Sequence, residues 1–525
     1  MIRKNRPNVN SIPSSDGYHA TRIVSAGTLA SRVLGVVREQ VIAYLFGASA
    51  VTDAFVAAFR IPNLLRDLFA EGALSAAFVP NFTDQLKNRG PAAALDLYQR
   101  MFNWICLIVG GVCVLGVVFT PQITLALAAG YENTPGKLAL TMNLARVMFP
   151  FLLFVSLAAL AMGALNSLGR FGPPAFAPMW FNVGSIVCAV VFSFILSQPV
   201  YGLAIGVVVG GVLQWWYQAR FLAQEGYHVR RQMGLTPEVR RVFRLLLPAI
   251  IGLAAVQVNI FVITRAASGL GDGPVSYLNF AYRLIFLPLG VFAVAAATVG
   301  LPRFSQLTAA GDTPGALASW GESLRLVWYL VVPTTVLFIV FGEDICRVLF
   351  QHGAFTAEDT KNTASALTFY SFGLPAMATI RVTAPVFYAH QDTRTPVIFS
   401  FLAVAVNLAL IRALMDSLGF RGLALAIAAA STVQTAGLLA MVRLRYGPYR
   451  FTRHLGYLAS VTVIAATMAL GCRLAARSGS DMLSALAGLG AIVVAAGLYL
   501  LITWVLKFRE TRFIWGERSR HDTGK

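Results

Sequence analysis

Apolar runs of about 20 residues follow one another along almost the whole chain, separated by short segments rich in Gly, Pro and charge. A helix needs about 20 such residues to cross a hydrocarbon core of roughly 30 Å, and within that core its backbone amides must be bonded inside the segment. These runs therefore specify an all-α, polytopic membrane protein. A transmembrane β-barrel would show short segments of alternating polarity instead, and the sequence has none. Composition agrees: 57% of the 525 residues are hydrophobic and only 12% are charged, about half the charged share of a soluble domain. Most of the surface must face lipid.

Gly, Pro and charge punctuation predicts about 14 transmembrane helices, near 20–46, 52–86, 101–120, 138–167, 175–197, 201–222, 242–267, 275–301, 324–342, 363–389, 395–414, 423–441, 455–473 and 482–506. Residues 1–19 read as a polar cytosolic tail without the n-region and cleavage pattern of a signal peptide. Six spans fall in 20–225, six in 226–450 and two in 451–507, and a basic tail occupies 508–525.

The net charge of +19 would suit nucleic acid if it were gathered on one face, but it is distributed among the loops. With both termini in the cytosol, the cytosolic segments hold 27 of the 42 Lys and Arg, and the opposite loops hold about seven, including Lys137, Arg347 and Lys361. The excess alternates loop by loop, as the rule for cytosolic positive charge requires. No nucleic-acid partner is expected.

An internal repeat is legible. Val79-Pro80-Asn81-Phe82 recurs as Leu301-Pro302-Arg303-Phe304, an offset of 222, and Pro150 opens a helix as Pro375 does, an offset of 225. Each copy holds six spans, an even number, so the copies run parallel through the membrane. Parallel repeats of this kind place a substrate path between them. The last two spans lie outside the repeat.

Ionisable residues inside the spans are the functional signal, since each costs about 2.5–3.5 kcal/mol to insert. The first span carries Arg32, Arg38 and Glu39; the second carries Arg60, Asn63, Arg66, Asp67 and Glu71, with Asp53 at the turn before it. The eighth carries Arg283 and the tenth Arg381, and the second copy has no carboxylate within a span. A surplus of guanidinium suits a phosphate or pyrophosphate, which the planar fork binds bidentately. The same residues admit a plainer reading. Arg38 with Glu39, and Arg66 with Asp67 or Glu71, can be self-satisfied pairs that staple helices, while Arg60 and Arg381 can sit at an interface.

No enzyme signature is present. The six histidines lie in predicted loops or tails without ligand spacing, no Gly-rich phosphate loop ends in Lys and Ser or Thr, and the five cysteines are scattered. No cofactor or metal is expected.

Ser31-Arg-Val-Leu-Gly35, Thr52-Asp-Ala-Phe55, Pro62-Asn-Leu-Leu-Arg66, Phe69-Ala-Glu-Gly72, Phe78-Val-Pro80 and Phe387-Tyr-Ala-His-Gln-Asp-Thr-Arg-Thr-Pro396 together resemble the MurJ/MviN family. These are lipid II flippases of the multidrug/oligosaccharidyl-lipid/polysaccharide exporter superfamily. The resemblance implies two six-helix lobes in a V, a cationic cavity with alternating access, and a groove for a polyprenyl tail at the last two helices. By position it marks Arg32, Arg38, Arg66 and Arg283 as substrate-binding, joined here by Asn63. Glu39, Asp53, Glu71 and Arg381 are the charge-pair or gating candidates. Some members carry a Glu three residues after the eighth-span arginine, where this chain has Phe286, and no intramembrane acid is available for the sodium site described for others.

The function these features imply is translocation of lipid II, a polyprenyl-pyrophosphate glycopeptide, across the bacterial inner membrane by a monomer among membrane lipids. Coupling to the membrane potential or to an ion gradient stays open. The alternatives are a flippase for another polyprenyl-linked glycan, a drug or cation antiporter of the same fold, and a non-transporting scaffold. The antiporter would want intramembrane acids, and the scaffold gains nothing from burying Arg283.

Overall fold

The computed structural model describes residues 15–67, 74–447, 451–476, 479, 481–508 and 510–511. Among them there is no strand, and the chain runs through α1 (Ser15–Phe46), α2 (Ala50–Arg66), α3 (Ser75–Asn88), α4 (Pro91–Val118), α5 (Thr120–Ala128), α6 (Lys137–Met148), α7 (Phe151–Ser167), α8 (Gly172–Ser193), α9 (Val200–Gln224) and α10 (Pro237–Ser268). It continues through α11 (Pro274–Pro288), α12 (Val294–Ala309), α13 (Thr313–Phe350), α14 (Ala357–Ser371), α15 (Leu374–Ala389), α16 (Arg394–Leu418), α17 (Phe420–Tyr446), α18 (Phe451–Ala475) and α19 (Met482–Val505). The fold is all-α. Part of the segment read as an N-terminal tail is helical, since α1 begins at Ser15.

Ten spans among the described residues are long and apolar enough to cross a membrane. Four of the fourteen predicted spans are not in that set. The first is interrupted by Arg32, Arg38 and Glu39. The second is described as α2, of 17 residues, and α3, with residues 68–73 between them outside the described set. The seventh lies in α10, part of which falls outside the residues whose side chains are described. The tenth is divided between α14 and α15 at Phe372-Gly373.

The repeat survives as geometry. α3 and α12 each carry the proline of the shared motif and each ends at a glycine with positive φ, Gly90 at 86° and Gly311 at 79°. Each leads into a long helix with proline in its first turn, Pro91 of α4 and Pro314 of α13. The fourth predicted span breaks between α6 and α7 at Pro150, and its counterpart breaks between α14 and α15 just before Pro375. α11 passes into α12 through a π-type turn, Leu289–Ala293.

The chain folds as two compact units that do not follow chain order. One comprises residues up to 42, 57–125 and 139–254, and its core is α7 packed against α4, α3 and the α8/α9 hairpin. A Cβ on Gly184 would stand 2.9 Å from Gly210 Cα, so this hairpin closes as tightly as it does because both crossing residues lack a side chain. The other unit comprises 43–56, 126–138 and 255–525, centred on α13, which packs on α12, α14, α15, α18 and α19.

Candidate functional site

The second unit contains a buried charge cluster at the start of α11. Gly273 is the residue before the helix, with φ 101°, and Pro274 is its first. Pro has no N–H, so two of the orphan amides at this helix start belong to Gly273 and Ser276. Asp53 takes both: Gly273 N donates to Oδ2 and Ser276 N to Oδ1, each at 2.8 Å. Ser276 Oγ adds a bond to Oδ1 at 2.6 Å, and Lys137 Nζ one to Oδ2 at 3.0 Å. A carboxylate has about four acceptor positions, and all four are filled. Asp53 is thus the cap of a helix more than 200 residues away, and its charge also suits the positive end of that helix.

Lys137 is equally well held. Its ammonium meets Asp272 Oδ1 at 2.7 Å and Gly271 O at 3.3 Å, and sits 4.2 Å from the Tyr131 ring centroid. Its side chain is 2% exposed and that of Asp53 is 0%. Tyr131 Oη in turn donates to Asp53 O at 3.2 Å.

A second clasp lies in the same unit. Ala354 N donates to Tyr44 O at 2.9 Å, and Thr52 Oγ1 to Gly47 O at 2.8 Å. Gly47 has φ +62°, and a Cβ there would come within 2.5 Å of Ala354 O, so only glycine fits. Thr356 and Asp359 form a capping box at the start of α14, and Tyr277 Oη of α11 donates to Asp359 Oδ1 at 3.2 Å.

The arginines of the first unit stand beside acids. Arg38 Nη2 lies 2.8 Å from Glu39 Oε1, with both side chains nearly buried, and its guanidinium is 5.4 Å from the Phe181 ring centroid. Arg66 bonds Asp67 Oδ1 through Nη2 at 2.9 Å and Nε at 3.1 Å. The self-paired geometry that the sequence admitted is therefore formed at both sites. Arg32 on α1 and Asn63 on α2, beside Pro62, are half-buried; Glu71 lies outside the described residues. In the second unit Arg283 of α11 and Arg381 of α15 are exposed. The Arg381 guanidinium rests 5.8 Å from the ring centroid of Phe286. An aromatic face here meets a cation.

Lys137, Asp272 and Ser276 escaped sequence reasoning. Lys137 counted only as an external loop charge, because its partners are 84 and 135 residues away. Its one local signal was a lysine at the very start of an apolar run. Among the described residues no group of three or more His, Cys, Asp or Glu side chains gathers as metal ligands.

Residues 42–482 match the family described as "Lipid II flippase MurJ". The chain belongs to the MurJ family. It is 37% identical over 439 residues to the "Probable lipid II flippase MurJ" of Vibrio cholerae, covering 82% of this chain and 83% of that one. It is 34% identical over 512 residues to the "Lipid II flippase MurJ" of Burkholderia cenocepacia, covering 94% and 98%. The fold is similar to that of a solved "Lipid II flippase MurJ, inward closed conformation", with TM-score 0.79, 24% identity and coverage of 92% and 98%. It is also similar to a multidrug resistance MATE family transporter of the MOP superfamily in an inward-facing conformation, with TM-score 0.67, 15% identity and coverage of 81% and 98%. Membership in the MurJ family and the apolar helices together make this a multi-pass membrane protein.

Proposed function

We propose that this MurJ family member is a lipid II flippase of the bacterial inner membrane, a transporter and not an enzyme, acting as a monomer with both termini cytosolic. Flipping breaks no covalent bond, so the protein's task is to bind an anionic head group and to hold each side of the membrane shut in turn. The observation that carries this reading is family membership along residues 42–482, with arginines retained inside otherwise apolar helices. Arg32, Arg38, Arg66 and Arg283, with Asn63, are the groups proposed to meet the pyrophosphate. Glu39 and Asp67 beside two of those arginines limit the positive charge while the substrate is absent, so a diphosphate can enter by exchange with a carboxylate. Arg381 serves that path as a secondary charge.

Asp53, with Lys137, acts as an external latch. The four bonds to its carboxylate tie the first turn of α2 to the start of α11 and to Lys137 within the second unit. No cofactor takes part in this reading.

Depleting the protein in living cells and analysing lipid-linked precursors tests the function. Lipid II should accumulate in the inner leaflet. Accumulation of a different polyprenyl-linked glycan, with lipid II at its normal level, would reassign the substrate. Orientation is tested separately. An impermeant maleimide should label a cysteine at 357, an exposed position, in intact cells and leave one at 230 unmodified.

A further inference from the structure

Residues 227–236 join α9 to α10 without helical structure, yet their backbone is fixed. The polar end of α4 holds it. Gln99 Nε2 donates to His228 O at 2.7 Å, and Asn103 Nδ2 donates to the carbonyls of Arg230 and Gln232 at 2.8 and 3.1 Å. Arg100 Nη1 reaches Met233 O at 3.1 Å, and Trp104 Nε1 reaches Gly234 O at 3.4 Å. Gln232 donates to Asp96, whose other oxygen accepts from Arg100.

With its carbonyls turned to α4, the linker presents several side chains outward, while Tyr227 is buried and Gln232 faces Asp96. Arg230 and Arg231 are exposed, as are Arg240, Arg241 and Arg244 in the first turns of α10. Between them Val229, Met233 and Leu235 are 48%, 56% and 53% exposed. The nearby carboxylates are engaged by other arginines: Asp96 with Arg100 at 2.8 Å, and Glu238 with Arg89 and Glu225 with Arg170, each at 2.7 Å.

Setting the orientation of the chain requires only positive charge in this loop, and a mobile loop would supply it. It requires neither a backbone pinned along the end of a membrane span nor three large apolar side chains held outward. A soluble polyanion would meet the arginines but leave those apolar groups in water. A lipid surface satisfies both, with phosphates at the arginines and the acyl boundary under the apolar side chains. Trp104, where α4 turns apolar, marks the level of such an interface.

We infer that residues 227–245 form a docking surface for anionic phospholipid head groups, holding the start of α10 to the membrane plane. The inference goes beyond the flippase reading and depends neither on the substrate nor on which side the linker lies. It is tested on the full-length protein in phosphatidylcholine nanodiscs and in discs where part of that lipid is replaced by phosphatidylglycerol. Melting temperature and retained lipid, the latter by native mass spectrometry, are the readouts. Phosphatidylglycerol should raise the melting temperature and be retained. Arg230→Gln/Arg231→Gln should weaken retention roughly fivefold per arginine while melting unchanged in phosphatidylcholine. If that variant does not accumulate, Arg240→Gln/Arg241→Gln, which leaves the pinned segment intact, carries the same expectation. A full phosphatidylglycerol response in the arginine variants would overturn the proposal. So would an unchanged response in Val229→Ser/Met233→Ser, or an equal rise produced by inorganic phosphate in phosphatidylcholine discs, since either would make this a site for free anions.

Discussion

Lys137 Nζ lies 3.0 Å from Asp53 Oδ2, and neither side chain reaches solvent. A fully shielded pair of this kind is costly to break from one side, because the remaining charge stays buried, whereas removing both charges together is often tolerated. Lys137→Met should therefore destabilise the protein by about 3–5 kcal/mol, and Asp53→Asn/Lys137→Met by much less than the sum of the single changes. A double-mutant cycle on melting in detergent, read together with growth complementation, measures this. Additive effects would mean that the two charges do not act as one latch.

Arg38→Ala and Arg66→Ala should each abolish flipping while the protein still accumulates in the membrane. Removing one fork from a buried phosphate forfeits a charge-assisted bond worth about 1.5–3 kcal/mol. The Glu39 and Asp67 contacts supply the competing outcome. If the arginines only staple their own helices, the alanine variants will fail to accumulate before any activity is lost. Complementation normalised to membrane abundance separates the two.

Arg283 distinguishes geometry from charge. A residue that clamps pyrophosphate needs the planar fork, so Arg283→Lys should be nearly as inactive as Arg283→Gln. If the residue merely draws anions inward, Lys will retain most activity and Gln will lose it. Full activity of Arg283→Ala at normal abundance would remove it from the substrate path.

The loop after α15 closes on an ion pair between Asp392 and Arg445, 53 residues apart, and the matching loop after α7 closes on Arg170 and Glu225, 55 apart with the signs exchanged. Asp392 also accepts from Thr395 N at 3.0 Å and Thr395 Oγ1 at 2.7 Å. The Thr395 hydroxyl first, then its N–H and the Arg445 guanidinium, hold the Asp392 carboxyl below its ordinary range. A lowered value means that the stabilisation is complete at neutral pH and disappears only as acid titrates the group through that lowered value. Asp392→Asn should melt lower than the native protein at pH 7, and the two should converge below about pH 4. A gap that persists in acid would assign the effect to packing.

The sequence by itself determined the class of molecule, because hydrocarbon admits only segments that satisfy their own backbone, and twenty-residue apolar runs announce such segments without any partner. It also determined the repeat, carried by prolines whose effect on a helix is local, and the family, carried by short motifs in the first two spans. Arg38 beside Glu39 and Arg66 beside Asp67 were legible for the same reason, since each pair is formed by chain neighbours. Only tertiary structure decided that Asp53 caps α11 and that Lys137, read as a loop charge, is buried against it. It alone decided that Phe286 carries the Arg381 guanidinium, and that the 227–236 linker is pinned to α4. These contacts join residues between 84 and 223 positions apart, and none of them leaves a period or a spacing in the sequence. A buried charge declares in one dimension that it needs a partner; which partner it finds depends on how the helices pack.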